Sequence, residues 1–234
     1  MAKAPRAGRS KTRLCPPLTG EEAAALSGAF LRDTASNVRA AGRLAPIAAY
    51  AAYAPLGTED LVAAHVGDGT RLVLADGSPP MPARVQGFGR CRLHAVQGML
   101  DAGHAAACVL SSDIPTLPTR LIVAAARHLL APGDRAVLGA CDDGGYYLLG
   151  LKAPHAEMFA DIAWSTDSVA AATRDRARAI GLDLVELAPW YDVDDAPSLA
   201  LLLAETGGYA APATRAAIDR LGLRERLAER AGAA

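Results

Sequence analysis

Short apolar runs alternate with longer amphipathic segments along this chain, and the alternation predicts strands and helices in turn. Apolar runs of strand length without regular polar positions are typical of strands buried on both faces of a parallel sheet. The chain has such runs at residues 45–53, 71–75, 105–110, 136–141, 146–151 and 182–187. The pattern therefore predicts an α/β fold with a mainly parallel sheet.

Helices are predicted between these runs. Thr19-Gly20-Glu21-Glu22 is a capping box, in which the threonine hydroxyl accepts from the Glu22 amide and the Glu22 carboxylate reaches back. It opens a long helix to about Ala41, and the apolar stripe of this helix recurs every four residues. Further helices are predicted at 58–65, 90–102, 121–130, from Ser165 or Thr166 to about Ile180, at 198–205, and from Ala213 to the end of the chain.

Composition narrows the class of protein. No segment of the 234 residues is rich in linker residues, so a single domain over 1–234 is expected. The formal net charge of -1 provides no basic surface, and nucleic acid is therefore not expected as a partner. No apolar stretch approaches the roughly 18 residues of a spanning helix, so no membrane association is expected. Four scattered cysteines without a C-x-x-C pair indicate a reducing, cytoplasmic location.

The first candidate site is the loop at residues 4–18, which combines proline, glycine and basic residues. Gly8 would let the backbone approach a ligand closely, and Lys3, Lys11 and Arg13 could bond phosphate oxygens. A solvated basic loop is the alternative interpretation. The segment is not a P-loop, because the earlier glycine of that motif is missing.

Acidic residues follow three predicted strands, where ligands of α/β proteins usually bind. Asp113 follows the run 105–110, Asp143 precedes Gly144 and Gly145 after 136–141, and Asp192 and Asp194 follow 182–187. Carboxylates are ligands of Mg²⁺ or Mn²⁺, and the glycines would let the chain pass close to a ligand. The alternatives are a cap on the turn for Asp113, a plain Asp-Gly turn for Asp143, and an acidic helix N-terminus for Asp192 and Asp194.

Two further patterns complete this picture. Residues 76–89 form a long loop rich in glycine and proline, which we interpret as a substrate-side loop or lid. The five histidines show no shared spacing of the kind that holds zinc, which disfavours zinc chemistry.

The motifs taken in order resemble one family. They are Lys3-Ala4-Pro5-x-x-Gly8-x-x-Lys11-Thr12-Arg13-Leu14, Ser112-Asp113-Ile114-Pro115-Thr116-Leu117-Pro118, the segment from Asp143 to Leu151, Trp164-Ser165-Thr166 and Asp192-Val193-Asp194. This set is similar to that of the radical-SAM/selenodomain-associated transferases, which are glycosyltransferase-like proteins of GT-A fold. The resemblance implies a nucleotide-diphosphosugar transferase fold, with a mainly parallel sheet and helices on both faces.

The resemblance also implies roles. Lys11 and Arg13 would contact the donor phosphates, and Asp113 would match the metal-binding acid of the GT-A site. The usual D-x-D pattern is absent, because Ser111 stands two residues before Asp113. The second metal ligand is therefore expected to be Asp194 or, second in order, Asp192. Asp143 is expected near the acceptor as a general base.

These expectations describe a metal-dependent transferase that uses a nucleotide-activated donor, with glycosyl transfer from a nucleotide sugar to an unidentified acceptor as the leading hypothesis. The N-terminal loop also resembles that of phospholactate guanylyltransferases and, more distantly, molybdenum-cofactor nucleotidyltransferases. Nucleotidyl transfer from a triphosphate with release of pyrophosphate is therefore the alternative. A third hypothesis is a nucleotide-binding module without catalysis.

Overall fold

The computed structural model of the chain describes residues 1–232, in which strands and helices alternate as the apolar pattern predicts. The strands are β1 (Ala2–Lys3), β2 (Tyr50–Ala54), β3 (Arg71–Leu74), β4 (Ala107–Leu110), β5 (Arg135–Ala140), β6 (Tyr146–Leu151) and β7 (Asp183–Glu186). The helices are α1 (Gly20–Ala41), α2 (Glu59–Val66), α3 (Phe88–Asp101), α4 (Thr119–Leu130), α5 (Val169–Ala179), α6 (Ala196–Ala204), α7 (Pro212–Arg220) and α8 (Leu223–Gly232).

The strands form two sheets of orders β1-β2-β3 and β4-β6-β5-β7. The backbone nitrogen of Met1 donates to the Leu110 carbonyl at 2.6 Å, which brings β1 beside β4. All pairs are parallel except those of β6, which runs antiparallel to β4 and β5. The connection from β5 to β6 is too short for a parallel crossover, so these strands form a hairpin. The predicted α/β fold is confirmed, and the single domain over 1–234 stays a prediction.

Helices cover both faces of the second sheet. Along β5, Ala136 and Leu138 pack in one apolar cluster with residues of α3 and α5. Val137 lies between them and packs in another cluster with residues of α4. This alternation follows from the strand geometry, in which successive side chains point to opposite faces. Among residues 1–232, no helix is both long enough and apolar enough to cross a membrane.

Predicted and observed element boundaries differ most in three places. The strand expected at 45–53 begins at Tyr50, because its partner β3 begins at Arg71, the residue that pairs with Tyr50. The helix expected from Ser165 or Thr166 begins at Val169, and Ser165 has a left-handed backbone with φ 65°. The tail expected as one helix is two, α7 and α8, separated at Gly222 with φ 58°; its last two residues lie outside the described part. The capping box of α1 is confirmed.

Candidate functional site

Three acid-containing segments meet beyond the ends of β4, β5 and β7. Their backbones are bonded to neighbouring strands and to one another. The Ser111 amide donates to the Tyr147 carbonyl at 2.9 Å, and the Trp190 amide donates to the Ala140 carbonyl at 3.2 Å. The Val193 amide donates to the Asp113 carbonyl at 2.8 Å. The loop that contains Asp192 and Asp194 is therefore fixed directly on Asp113.

Lys11 bridges two of the acids. Its Nζ lies 2.8 Å from Asp113 Oδ2 and 2.7 Å from Asp194 Oδ1, and only 6% of its side chain is exposed. The Arg13 guanidinium contacts the other oxygen of Asp194. Lys11 has a left-handed backbone with φ 51°, which is unfavourable for a residue with a Cβ. The two residues predicted as metal ligands thus share one cation that the chain itself supplies.

Asp192 lies beside Lys11 and Asp194 in a second group. One ligand atom each from Cys141, Asp143 and Asp192 lies within 4.8 Å of the others. Burial, followed by the carboxylates of Asp194 and Asp143, raises the pKa of Asp192 to about 7. The acids around Lys11 therefore carry more negative charge than its single ammonium neutralises.

Helix α1 supports the loop that contains Asp113. The buried Asn37 donates from Nδ2 to the Leu117 carbonyl at 2.6 Å and accepts at Oδ1 from the Thr119 hydroxyl at 2.6 Å. The hydroxyls of Thr116 and Tyr191 bond at 2.8 Å, which joins this loop to the segment of Asp192. These contacts restrict the loop and so fix where Asp113 stands.

The Asp143 loop is packed tightly. Asp143 Oδ1 accepts from the Gly145 amide at 2.8 Å. Gly144 has φ 85°, and a Cβ added to it would lie 1.9 Å from the Asp167 carbonyl oxygen. The close approach expected at Gly144 is therefore made, at least in part, by the chain itself. Contact of Gly144 and Gly145 with a donor stays a prediction.

The candidate residues of the N-terminal loop fall into two groups, those that contact the acids and those that do not. Lys11 and Arg13 reach the acids, whereas Lys3 donates from Nζ to the Arg9 carbonyl at 2.6 Å within the loop. Gly8 has φ 69° and open space where a Cβ would stand. The loop that we interpret as a lid, residues 76–89, is held against the segment 157–161. The contacts are the ion pairs of Arg84 with Glu157 and Asp161.

Sequence reasoning left out Cys141, whose signal was its position directly before Asp142 and Asp143 at a strand end. It also did not decide whether the acids before α6 belong to the N-terminus of that helix or to a ligand site. Asp195 forms the capping box of α6 with Ser198, so the cap of that helix is neither Asp192 nor Asp194. The structure thus separates the acid that caps the helix from the two that face Lys11 and Asp143.

Among three comparisons with known proteins, two found a match and one found none. The model of a protein family described as "Uncharacterized protein conserved in bacteria (DUF2064)" matches residues 37–166, more than half of the chain. No curated protein matches the chain. A crystal structure from Desulfovibrio desulfuricans G20, described as that of a "putative nucleotide-diphospho-sugar transferase", is similar with a TM-score of 0.74. The two chains are 25% identical over 94% of this chain and 93% of the other.

Proposed function

This chain belongs to the DUF2064 family and has the fold of nucleotide-diphospho-sugar transferases, and from that premise we propose that it is a metal-dependent transferase with a nucleotide-activated donor. The reaction we propose is glycosyl transfer from a nucleotide sugar to a small acceptor. One observation supports this most strongly: Asp113 and Asp194 converge on a single cation beyond the strand ends. Within this fold, we retain the radical-SAM/selenodomain-associated transferases as the proposed group.

The donor set suits a hard divalent cation. Asp113 and Asp194 already bind one cation between them, and Asp192 adds carboxylate charge beside it. Carboxylate oxygens are the ligands that Mg²⁺ and Mn²⁺ prefer. We propose that these three residues hold the ion, which when bound would offset the charge of the donor diphosphate.

The cationic loop would bind the donor. We propose that Lys11 and Arg13 exchange their carboxylate partners for donor phosphate oxygens, since both cations already lie at the acids. Lys3 and Gly8 would shape the loop over the phosphates, and Gly144 and Gly145 would border the donor on the other side. Preorganised cations at a leaving phosphate stabilise the charge that develops there.

Asp143 would act on the acceptor. In the proposed step an acceptor oxygen attacks the anomeric carbon, and the bond from that carbon to the nucleoside diphosphate breaks. The Asp143 carboxylate takes the proton of the acceptor hydroxyl, and the electron pair of the broken bond leaves with the diphosphate. Asp143 is exposed at the end of β5, where an acceptor could reach it.

Nucleotidyl transfer is the second candidate. Its support is the loop at residues 4–18, which contains four cations from Arg6 to Arg13 and resembles the loop of phospholactate guanylyltransferases. In that case the acceptor would attack the α-phosphorus and pyrophosphate would leave. The third hypothesis, a module without catalysis, predicts separated acids, and the shared contact with Lys11 counts against it.

The proposal is tested by thermal unfolding with Mn²⁺ and a panel of nucleotide sugars and triphosphates. A ligand at a hundred times its Kd adds about 2.7 kcal/mol of stability, a shift of about 5–10 °C in Tm for a chain of this size. We expect a shift that needs Mn²⁺, is lost in Asp113→Asn, and persists in Asp101→Asn, an exposed acid on α3.

The class of ligand decides between the candidates. A shift selective for a nucleotide sugar supports glycosyl transfer, and one selective for a triphosphate supports nucleotidyl transfer. Equal shifts in Asp113→Asn and the wild type would contradict the metal assignment. The absence of any shift in the wild type would contradict the donor site.

A further inference from the structure

Arg92 lies on α3 among three aromatic side chains. Its Cζ is 4.5 Å from the centroid of the Trp164 ring, 5.6 Å from that of Phe88 and 5.7 Å from that of Tyr146. These distances are within the range of cation–π attraction. The rings of Tyr146 and Trp164 meet edge to face, with centroids 6.4 Å apart. The aromatic side chains therefore hold the guanidinium in one place.

The charge of Arg92 has no acidic partner. Among the side chains that the structure describes, no carboxylate forms an ion pair with Arg92, and its guanidinium donates one hydrogen bond, to the Phe88 carbonyl at 3.5 Å. Arg90, on the same helix, differs because its guanidinium bonds the carbonyls of Gly77 and Pro79. Arg90 fastens a loop, whereas most donors of Arg92 are unused.

Arg92 borders the acid cluster. Tyr146 begins β6, and the carbonyl of the next residue, Tyr147, accepts from the Ser111 amide, two residues before Asp113. Trp164 precedes a turn that contains Asp167. The backbone of Asp167 packs closely against Gly144, which follows Asp143 in the chain. Burial and then the charge of Arg92 lower the pKa of the Met1 amino group, and Asp113 raises it, so Arg92 and Asp113 lie near one common group.

A second unused donor lies beside it. The Tyr146 hydroxyl is buried beside the Arg92 guanidinium, and its proton has no acceptor in the described part of the chain. Burial raises the pKa of Tyr146 to about 12, so the hydroxyl keeps its proton at neutral pH. The side chain of Phe88 stands over Arg92 with 57% of its surface exposed, and it offers an apolar wall.

We propose that Arg92 binds the carboxylate or phosphate of an anionic acceptor. An anion near Asp113, Asp143, Asp192 and Asp194 is repelled unless a fixed cation holds it, and a guanidinium bonds carboxylate and phosphate with two parallel N–H donors. The inference rests on the proposed function, since it names the class of acceptor for the same site. It assigns an acidic small molecule rather than a neutral sugar.

The test titrates the full chain, in Mn²⁺ at constant ionic strength, with three hydroxyl compounds followed by ligand-observed NMR. Lactate offers a carboxylate, glycerol 1-phosphate a phosphate, and glycerol neither. We expect at least one of the anions to bind and glycerol not to bind. Arg92→Gln should weaken the anion tenfold or more, and Arg92→Lys severalfold, because lysine keeps the charge without the two parallel donors.

Arg43→Gln is the matched control. Arg43 is an exposed arginine just past the end of α1, at the opposite edge of the sheet, and its loss should leave anion binding unchanged. Selective binding of lactate or of glycerol 1-phosphate identifies the acceptor group. Wild-type protein that binds neither anion, or Arg92→Gln that binds them as the wild type does, overturns the inference. If Arg92→Gln fails to fold, Arg92→Lys decides.

A parallel titration with Mn²⁺ and the nucleotide found by thermal unfolding separates the two proposals. Arg92→Gln should bind this donor as the wild type does, and a tenfold loss would show that Arg92 contacts the donor instead. If no nucleotide binds the wild type while the anion still requires Arg92, the donor proposal fails and an anion site at Arg92 remains.

Discussion

Lys11 shows how one residue can occupy a site in advance of its ligand. Its ammonium contacts Asp113 and Asp194, which without it would face each other as like charges. Breaking a buried ion pair by removing one partner costs about 3–5 kcal/mol. Here 32% and 25% of the two acidic side chains are exposed, so water screens part of that cost.

We therefore predict that Lys11→Met destabilises the protein by about 1–3 kcal/mol and that Mg²⁺ restores part of the loss, because a divalent ion can take the place of the ammonium. Urea unfolding with and without Mg²⁺ measures this. Lys152→Met is the control, since the Lys152 ammonium bonds the carbonyls of Ala131 and Gly133 and, among the side chains that the structure describes, no acid. Equal responses to Mg²⁺ in the two variants would contradict the prediction.

At the scale of elements, the start of α1 combines a local and a distant contact. The Thr19 hydroxyl accepts from the Glu22 amide at 3.2 Å, and the Glu22 carboxylate accepts from the Thr19 amide at 2.9 Å. Arg226 of α8 also donates to Glu22, at 2.8 and 3.2 Å. The hydrogen bond from Arg226, followed by that from Thr19, holds the pKa of Glu22 below its usual value.

Glu22→Gln should lose stability in a way that depends on pH. Because the pKa of Glu22 is lower in the folded chain, its contribution is present above the pKa of the unfolded state and is lost as pH falls through the folded value. We expect the variant to be about 0.5–1 kcal/mol less stable at pH 7, and this difference to shrink towards pH 3. Urea unfolding across that range measures it.

Glu21→Gln is the control for this change, since it removes the same charge from the same helical turn at an exposed position. At pH 7, Glu21→Gln should lose less stability relative to the wild type than Glu22→Gln does. A difference between Glu22→Gln and the wild type that stays constant from pH 7 to pH 3 would contradict the role assigned to the ionised carboxylate.

The whole molecule joins its two ends through α1 and α7. Asp33 of α1 is 1% exposed and accepts from the amides of Ala213 and Thr214, at 3.1 and 2.6 Å, in the first turn of α7. Leu26 and Phe30 of α1 share an apolar cluster with Ile218 of α7. The final helices are thus held by one buried carboxylate as well as by packing.

Asp33→Ala should destabilise the protein by about 2–3 kcal/mol, because one buried and one part-buried amide lose their acceptor and the helix terminus loses a favourable charge. We expect faster proteolysis between α6 and α7 and a lower urea midpoint. Asp68→Ala, at an exposed acid, should change neither. Unchanged proteolysis of Asp33→Ala would mean that packing alone holds α7.

Local features of the sequence predicted much of this molecule. Burial, helix caps and turn residues act over a few positions, and they predicted the α/β order, the capping box of Thr19 and the candidate acids at strand ends. The pairing of Lys11 with Asp194, of Arg92 with Trp164 and of Asp33 with α7 depends on how distant elements pack. The left-handed backbone of Ser165 was also missed, and the turn that follows it packs against Gly144 through Asp167, a contact between distant parts of the chain.

Lys11 and Asp194 are 183 residues apart, and they contact each other directly. A ribosome produces the chain from its amino end, so Lys11 emerges long before its partner exists. Until residue 194 has left the ribosome, the lysine has at most Asp113 to bind, and the cluster that we assign to the metal and the donor is incomplete. Competence to bind that donor would therefore arise only after Asp194 has been synthesised and has left the ribosome.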